Sequence, residues 1–247
     1  MNFFSLFKRK IIYKLKKKIS IDTKDLSQKS LDKLFHFYGS DKANFFKILN
    51  REGHGYSSYY INQIDHLKKK NINILEIGSY AGASAAAFSK YFPNANIFCF
   101  DVNISNFKYK SKKIHVYGVD ISNEKKVKQI LNNIFEIHQF SFFDLIIDDG
   151  SHNLKDIIYS LNYFFKYLKN KGIFVIEDFK HPNYYEYNRN INHIFVDEFL
   201  KNIENKKIIN SSIVNEKNQR YLMESIKNIN TYKGNLSDSD ICFIKKK

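Results

Sequence analysis

The stretch INILEIGSYAGASAAAFSKYFPNANIFCFD, residues 72–101, decides how the rest of the chain is read. Ile72, Ile74, Leu75 and Ile77 make an apolar run that leads through Glu76 into Gly78, Ser79 and Gly82. A small-residue segment, Ala81 to Ser89, follows, and a second apolar run, Ile97 to Phe100, closes on Asp101. The order is strand, glycine turn, helix, strand, acid, a βαβ unit of the kind that binds a nucleotide-like ligand. Gly78 lets the backbone turn off the strand, and Gly82 lets the first helical turn approach a ligand closely. The helix start offers unpaired N–H groups to an anion, and an acid at the tip of the second strand accepts both hydroxyls of a ribose.

A dinucleotide fingerprint places a second glycine where this chain has Tyr80, so NAD and FAD are disfavoured. The spacing Glu76-x-Gly78-x-x-x-Gly82 resembles motif one of the class I S-adenosylmethionine (SAM) methyltransferases. An ordinary buried strand–helix turn is the alternative.

Downstream, the chain alternates strands and helices. Ile114 to Asp120 reads as a third strand, and residues 123–138 as a helix. Asp120, at that strand's C-terminal end, either accepts an adenine amino group or caps the helix signalled by Ser122 and Glu124. Phe142 to Asp148 is a buried strand that runs into Asp149-Gly150-Ser151-His152. A helix is expected from Asn153 to Lys169, with Ile157, Leu161 and Phe164 inward, then a fifth strand from Gly172 to Asp178. A further helix is expected at about residues 190–206, and Ile226 to Tyr232 with Ile241 to Lys245 suit an antiparallel edge hairpin. The fold class is α/β: a doubly wound, mostly parallel sheet of seven strands with an N-terminal helical extension. The domain reading is a basic amphipathic segment at 1–27, a helical cap or lid at 28–70 and the main domain at 71–247.

Asp149, Glu177 and Asp178 end neighbouring strands in this topology. Three carboxylates so close repel one another unless a cation sits between them, and oxygen ligands select a hard ion, Mg²⁺ before Mn²⁺ or Ca²⁺. His152, across a Gly-Ser turn from Asp149, is placed as a general base. The alternative is that each acid caps the helix after its strand, with His152 exposed in a turn.

IIDDGSH followed by VIED resembles the metal-dependent O-methyltransferases of macrolide sugars, the mycinamicin and demethylmacrocin type, and their glycan-modifying relatives. Their upstream tyrosine-glycine-serine-aspartate-lysine and histidine-x-tyrosine motifs are similar to Tyr38–Lys42 and His54–Tyr56. The resemblance covers roughly residues 35–245. It implies Mg²⁺ on Asp149, Glu177 and Asp178, His152 as base with Asp149 beside it in the catalytic set, and a sugar or glycan acceptor, such as a surface polysaccharide. It further implies SAM on Gly78 and Asp101, and Glu76, Ser79, Gly82, Asp120, Tyr38 and Lys42 complete the candidate SAM-binding set. The loop residues His181, Tyr184 and Tyr185, with Tyr187, are candidates for contact with the acceptor sugar.

Composition sets the remaining limits. The 247 residues include 23 Phe and 17 Tyr, ample for a core, while two Pro and nine Gly leave little for linkers. The net charge of +15 invites nucleic acid, and an RNA methyltransferase is the rival enzyme, but the lysines are spread along the chain and no RNA-binding signature accompanies them. A methyltransferase fold serving as a non-catalytic membrane scaffold is the other rival. Cys99 and Cys242 lie in apolar runs without metal spacing, which suits reduced thiols in a cytoplasmic protein. The basic start, with Phe3, Phe4, Phe7, Ile11 and Leu15 among lysines, is a helix docked on the domain, a partly ordered basic tail with solvated lysines, or a helix lying on the inner face of a membrane through residues 1–20. Neither a transmembrane run nor a secretory signal is expected, and an oligomer is compatible with everything above.

Overall fold

A computed structural model of the chain describes residues 3–23, 26 and 28–247, the side chain of Phe3 excepted. The parts of the N-terminal segment at residues 1, 2, 24, 25 and 27 lie outside the described residues. The chain divides into two compact units, Met1–Ser141 and Phe142–Lys247. Seven strands form one mostly parallel sheet, the α/β architecture the alternating pattern predicts.

In the first unit the sheet strands are β1 (Ile72–Ile77), β2 (Ala95–Asp101) and β3 (Ile114–Gly118). β2 lies between the other two and is parallel to both, with Ile72 opposite Ala95, Ile77 opposite Phe100, and Asp101 opposite Gly118. Parallel strands covered on both faces read as unbroken apolar runs, and Ile74, Leu75, Phe98, Cys99 and Phe100 are fully buried. Helix α1 (Phe3–Leu15) precedes α2 (Leu31–Tyr38), α3 (Ser57–Ile64), α4 (Ala83–Tyr91) and α5 (Glu124–His138). α2 starts where the Ser30 side chain accepts from Lys33 N–H and stops at Gly39 in the left-handed region. The small side chains Ala85, Ala86 and Ala87 are fully buried on α4. Beside them Phe88 meets Phe35 of α2 and Tyr60 of α3 edge-on, with ring centroids 5.3 and 5.4 Å away. Residues 28–70 therefore share the aromatic core of this unit. They also hold a two-residue hairpin, Phe45–Phe46 with Arg51–Glu52.

In the second unit the order is β6 (Ile226–Lys233), β7 (Asp240–Lys246), β5 (Leu168–Glu177), β4 (Phe143–Asp148). β4 and β5 are parallel, while β7 runs antiparallel to β5 and to the edge strand β6, as the C-terminal pattern predicts. Helix boundaries depart from the sequence expectation. α6 covers Leu154–Phe164 only, one 3₁₀ turn follows, and β5 already begins at Leu168. The cause is distant in sequence: the buried Lys246 ammonium donates to the Leu168 carbonyl at 2.8 Å and to the Phe165 carbonyl at 3.4 Å. Those bonds satisfy carbonyls that a longer helix would have used itself. After the short α7 (His181–Tyr184), the helix expected at 190–206 is confined to α8 (Val196–Glu204). α9 (Glu216–Ser225), opened by Asn215 accepting from Asn218 N–H at 2.9 Å, was not expected because its sequence is almost wholly polar. Cys99 and Cys242 are buried free thiols.

Candidate active site

The first unit carries one candidate cluster, the turn after β1. Gly78 (φ +86°), Tyr80 (φ +41°) and Gly82 (φ +75°) all take the left-handed region, which costs a tyrosine far more than a glycine. What holds Tyr80 there is Asp101: its Oδ2 accepts the Tyr80 N–H at 2.7 Å, and its Oδ1 accepts the Asn103 N–H at 2.5 Å. The acid at the tip of β2 thus ties the glycine turn to its own strand end. Sequence reasoning assigned Asp101 to a ribose and missed Tyr80; the signal was a large residue between two obligatory glycines.

The close approach expected at Gly82 is made by a protein ring. A Cβ on Gly82 would stand 2.4 Å from Phe107 Cζ, so Phe107 occupies the space that a ligand was expected to use. Glu76 is fully buried beneath the turn, where it accepts from the Ser84 hydroxyl and the Cys99 thiol. The Ser79 hydroxyl donates to the Glu76 carbonyl at 3.3 Å. Tyr109, two residues past Phe107, donates from its hydroxyl to the Tyr38 carbonyl at 2.6 Å. The Tyr38 hydroxyl is buried without a hydrogen-bond partner among the described residues, and burial, helped by the Tyr109 phenol, pushes its pKa up to about 12. A buried hydroxyl without a partner among the described residues fits a ligand or a water beside it. Lys42 is almost wholly buried.

Asp120 lies two residues past the end of β3, and its Oδ1 accepts from Ser122 N–H (3.1 Å) and Oγ–H (2.7 Å). The helix that follows is capped by Asn123, which accepts from Lys126 N–H at 3.0 Å. Of the two roles left open for Asp120, the cap therefore belongs to Asn123. Asp120 instead lines a cavity of about 740 Å³ together with Leu6, Phe7 and Lys10 of α1.

The second unit carries its own candidate cluster, at the ends of β4 and β5. One ligand atom each from Asp149, His152 and Asp178 falls within 4.8 Å of the others. His152 Nε2 is 3.6 Å from Asp149 Oδ1 and 3.9 Å from Asp178 Oδ2. His152 (φ +53°) and Asp178 (φ +49°) are both left-handed, so two strained residues aim their side chains at one point. α6 is capped by Asn153, accepting from Lys155 N–H at 3.2 Å, so the helix does not need Asp149 as its cap. Glu177, the last residue of β5, is almost wholly buried and stands outside that close trio. The two carboxylates suit a hard divalent cation, and the imidazole beside them is placed to exchange a proton. Below them Asp148 is buried, and that burial raises its carboxyl to about 7 against the pull of the Ser160 hydroxyl and His152.

An aromatic path leads away from His152. The His181 ring is 5.5 Å from it, Tyr185 is 4.3 Å from His181, and Tyr187 is 5.7 Å from Tyr185. The expected stacking residues are not equivalent. The Tyr184 hydroxyl donates to Asp240 at 2.7 Å and Lys233 Nζ sits 4.9 Å over its ring, which covers one face. The Tyr185 hydroxyl is anchored to Asp238 at 2.9 Å, and Tyr187 is three-quarters exposed.

No family model matches the chain. It is similar to an L-olivosyl-oleandolide 3-O-methyltransferase of Streptomyces antibioticus, 28% identical over 155 residues that cover 60% of this chain and 36% of that protein. A mycinamicin VI 2''-O-methyltransferase of Micromonospora griseorubida is 24% identical over 135 residues, 51% of this chain and 31% of that protein. The chain thus spans about a third of the length of these curated relatives. Among solved structures, the MycE methyltransferase of the mycinamycin biosynthetic pathway, in complex with Mg, SAH and mycinamycin VI, matches with a TM-score of 0.68 at 19% identity. That match covers 89% of this chain and 55% of the other. A second MycE structure, with Mg and SAH, gives 0.67 at 20%. The chain has the fold of a class I SAM-dependent methyltransferase.

Proposed function

We propose that the protein is a SAM- and Mg²⁺-dependent O-methyltransferase that methylates a sugar hydroxyl. The observation that carries this reading is the trio Asp149, His152 and Asp178 at the strand ends, in a chain whose other unit carries the nucleotide-type turn. Two further supports come from relatives: those with related sequences are named as an L-olivosyl-oleandolide 3-O-methyltransferase and a mycinamicin VI 2''-O-methyltransferase, and MycE was crystallised with Mg and SAH.

Asp149, Asp178 and the neighbouring Glu177 would hold the cation, which when bound supplies charge stabilisation for an acceptor oxygen as it loses its proton. His152 takes that proton at Nε2, the atom that faces both acids. Asp101 and the glycine turn keep the methyl donor in one orientation, so that transfer is largely a matter of alignment. His181, Tyr185 and Tyr187 offer the acceptor rings on which a sugar face packs, with Asp238 fixing Tyr185. The acceptor belongs to a glycan or glycosylated metabolite, a surface polysaccharide among them.

α1 supports a second, compatible reading, contact with an anionic bilayer. Phe4 (77% exposed), Ile11 and Leu15 (81%) share its outer face with Lys8 and Lys14. Aromatic and aliphatic groups flanked by lysines suit a headgroup boundary. No helix among the described residues is long and apolar enough to cross a membrane.

The test of the main reading is methyl transfer from labelled SAM to a panel of glycans. Activity should vanish in EDTA and return with Mg²⁺, and His152→Ala should lower kcat by roughly 10²–10⁴ while SAH binding persists. Full turnover in EDTA, or an unimpaired His152→Ala enzyme, would overturn it. For the second reading, Phe4→Ser with Leu15→Ser should weaken sedimentation with anionic vesicles and spare turnover of a soluble acceptor.

A further inference from the structure

The cavity at the end of β3 has one wall that no nucleotide-binding pattern in the sequence announces. Its inner wall is Gly118, Val119, Asp120 and Ser122, while the outer wall is Leu6, Phe7 and Lys10 of the N-terminal helix. Helix α1 is held there by specific contacts. Arg9 donates to the Val102 carbonyl at 2.9 Å, one residue past Asp101, and Lys16 donates to the Ser105 carbonyl at 3.1 Å. Tyr13 meets Phe107 edge-on at 6.4 Å, and Phe107 is the ring that fills the space above Gly82. The absence of a side chain at Gly118 lets Lys10 close in: a Cβ there would be 3.3 Å from its Cε. α1 therefore lies along the rim formed by the ends of β2 and β3, against the segment that follows Asp101.

We infer that α1 is the outer wall of the nucleoside pocket, with Phe7 and Leu6 packing on the adenine of the methyl donor opposite Val119 and Asp120. This rests on the SAM reading and deepens it, because it assigns a ligand contact to the segment that looked like a basic tail. The chemistry of the wall selects the ligand class. An aromatic and two aliphatic side chains suit the face of a planar base. Lys10, Lys126, Asp120 and Glu124 share the same lining, so it mixes both signs of charge around the apolar groups. At about 740 Å³ it has room for an adenosine. Helical spacing explains how one short helix serves two surfaces: Leu6, Arg9, Lys10 and Tyr13 are its less exposed face, Phe4, Ile11 and Leu15 point outward, and the half-exposed Phe7 lies between them at the cavity rim.

The chain contains no tryptophan, so one introduced by substitution is a clean reporter. Phe7→Trp should show saturable quenching or a spectral shift on titration with SAH, whereas Leu15→Trp, on the outer face, should not respond. Phe7 is 56% exposed, so Phe7→Ala should leave the melting temperature unchanged and weaken SAH binding in calorimetry by about three- to tenfold, the scale of one lost ring contact. Wild-type SAH binding that survives Phe7→Ala undiminished, with Phe7→Trp silent to SAH, would overturn the proposal and leave the methyltransferase reading standing. A well-folded wild type with no affinity for SAH would overturn both.

Discussion

The two units use the acids at their strand ends in opposite ways. In the first unit, Glu76 and Asp101 are consumed by the protein: one is buried under the turn with Ser84 and Cys99, the other receives the Tyr80 and Asn103 backbone N–H groups. These carboxylates build the shape of the turn. In the second unit, Asp149 and Asp178 converge with His152 at separations beyond ordinary hydrogen bonds, 3.6 and 3.9 Å. That spacing is too long for a direct hydrogen bond and leaves room for an ion between the groups. The comparison teaches that an acid at a strand end is not one kind of residue: where backbone donors reach it, its role is architectural first.

The largest effect expected from this contrast is at Asp178. Asp178→Asn keeps a residue type that tolerates φ near +49°, so the fold should survive with a melting temperature near wild type. Turnover should nevertheless fall by about 10³ or more, because one charge of the cation site is gone. A variant with near-normal turnover would show that the second cluster is as architectural as the first.

Asp101→Ala should behave differently. It releases two backbone donors that shape the turn proposed to hold the methyl donor, so SAH affinity should drop by about 1.5–3 kcal/mol and the melting temperature should fall with it. Loss of affinity without loss of stability would mean that the tie to Tyr80 is incidental, and the contrast would weaken.

The smallest effect concerns the first unit alone. His115 stacks on Phe98 at 5.0 Å with His138 4.4 Å away, and its Nε2 is buried without a hydrogen-bond partner among the described residues. Burial, aided by His138, lowers its pKa from 6.5 to about 4. The unfolded chain takes up a proton below about 6.5 while the folded chain does so only near 4, so this group subtracts stability as pH falls through that window and adds no further loss below it. His115→Phe should keep the stacking and flatten part of the decline in melting temperature between pH 7 and pH 4.5. An identical decline in both proteins would place the acid sensitivity elsewhere.

Much of this was legible in the chain because it depends on neighbours in sequence. Apolar runs bounded by glycine located the strands, since a strand buried on both faces has no polar positions to interrupt it. The strand-end acids and His152 were legible for the same reason: each follows its strand directly. α9 was not, because EKNQRYLMES buries only Gln219 and Leu222 and offers no apolar periodicity to read. The early end of α6 was hidden for another reason, since it depends on Lys246, some eighty residues away.

By itself, then, the sequence determined the layered α/β architecture, the glycine turn and the presence of acids and a histidine at particular strand ends, all set by local chain stiffness and hydrophobic pattern. Only the tertiary structure decided what those groups do. Asp101 meets the Tyr80 N–H across 21 residues, Phe107 rather than a ligand closes over Gly82, and Arg9 finds the Val102 carbonyl across 93. Hydrogen bonds and ring contacts are short-ranged and directional, so their partners are fixed by where the sheet brings the backbone and not by spacing along it.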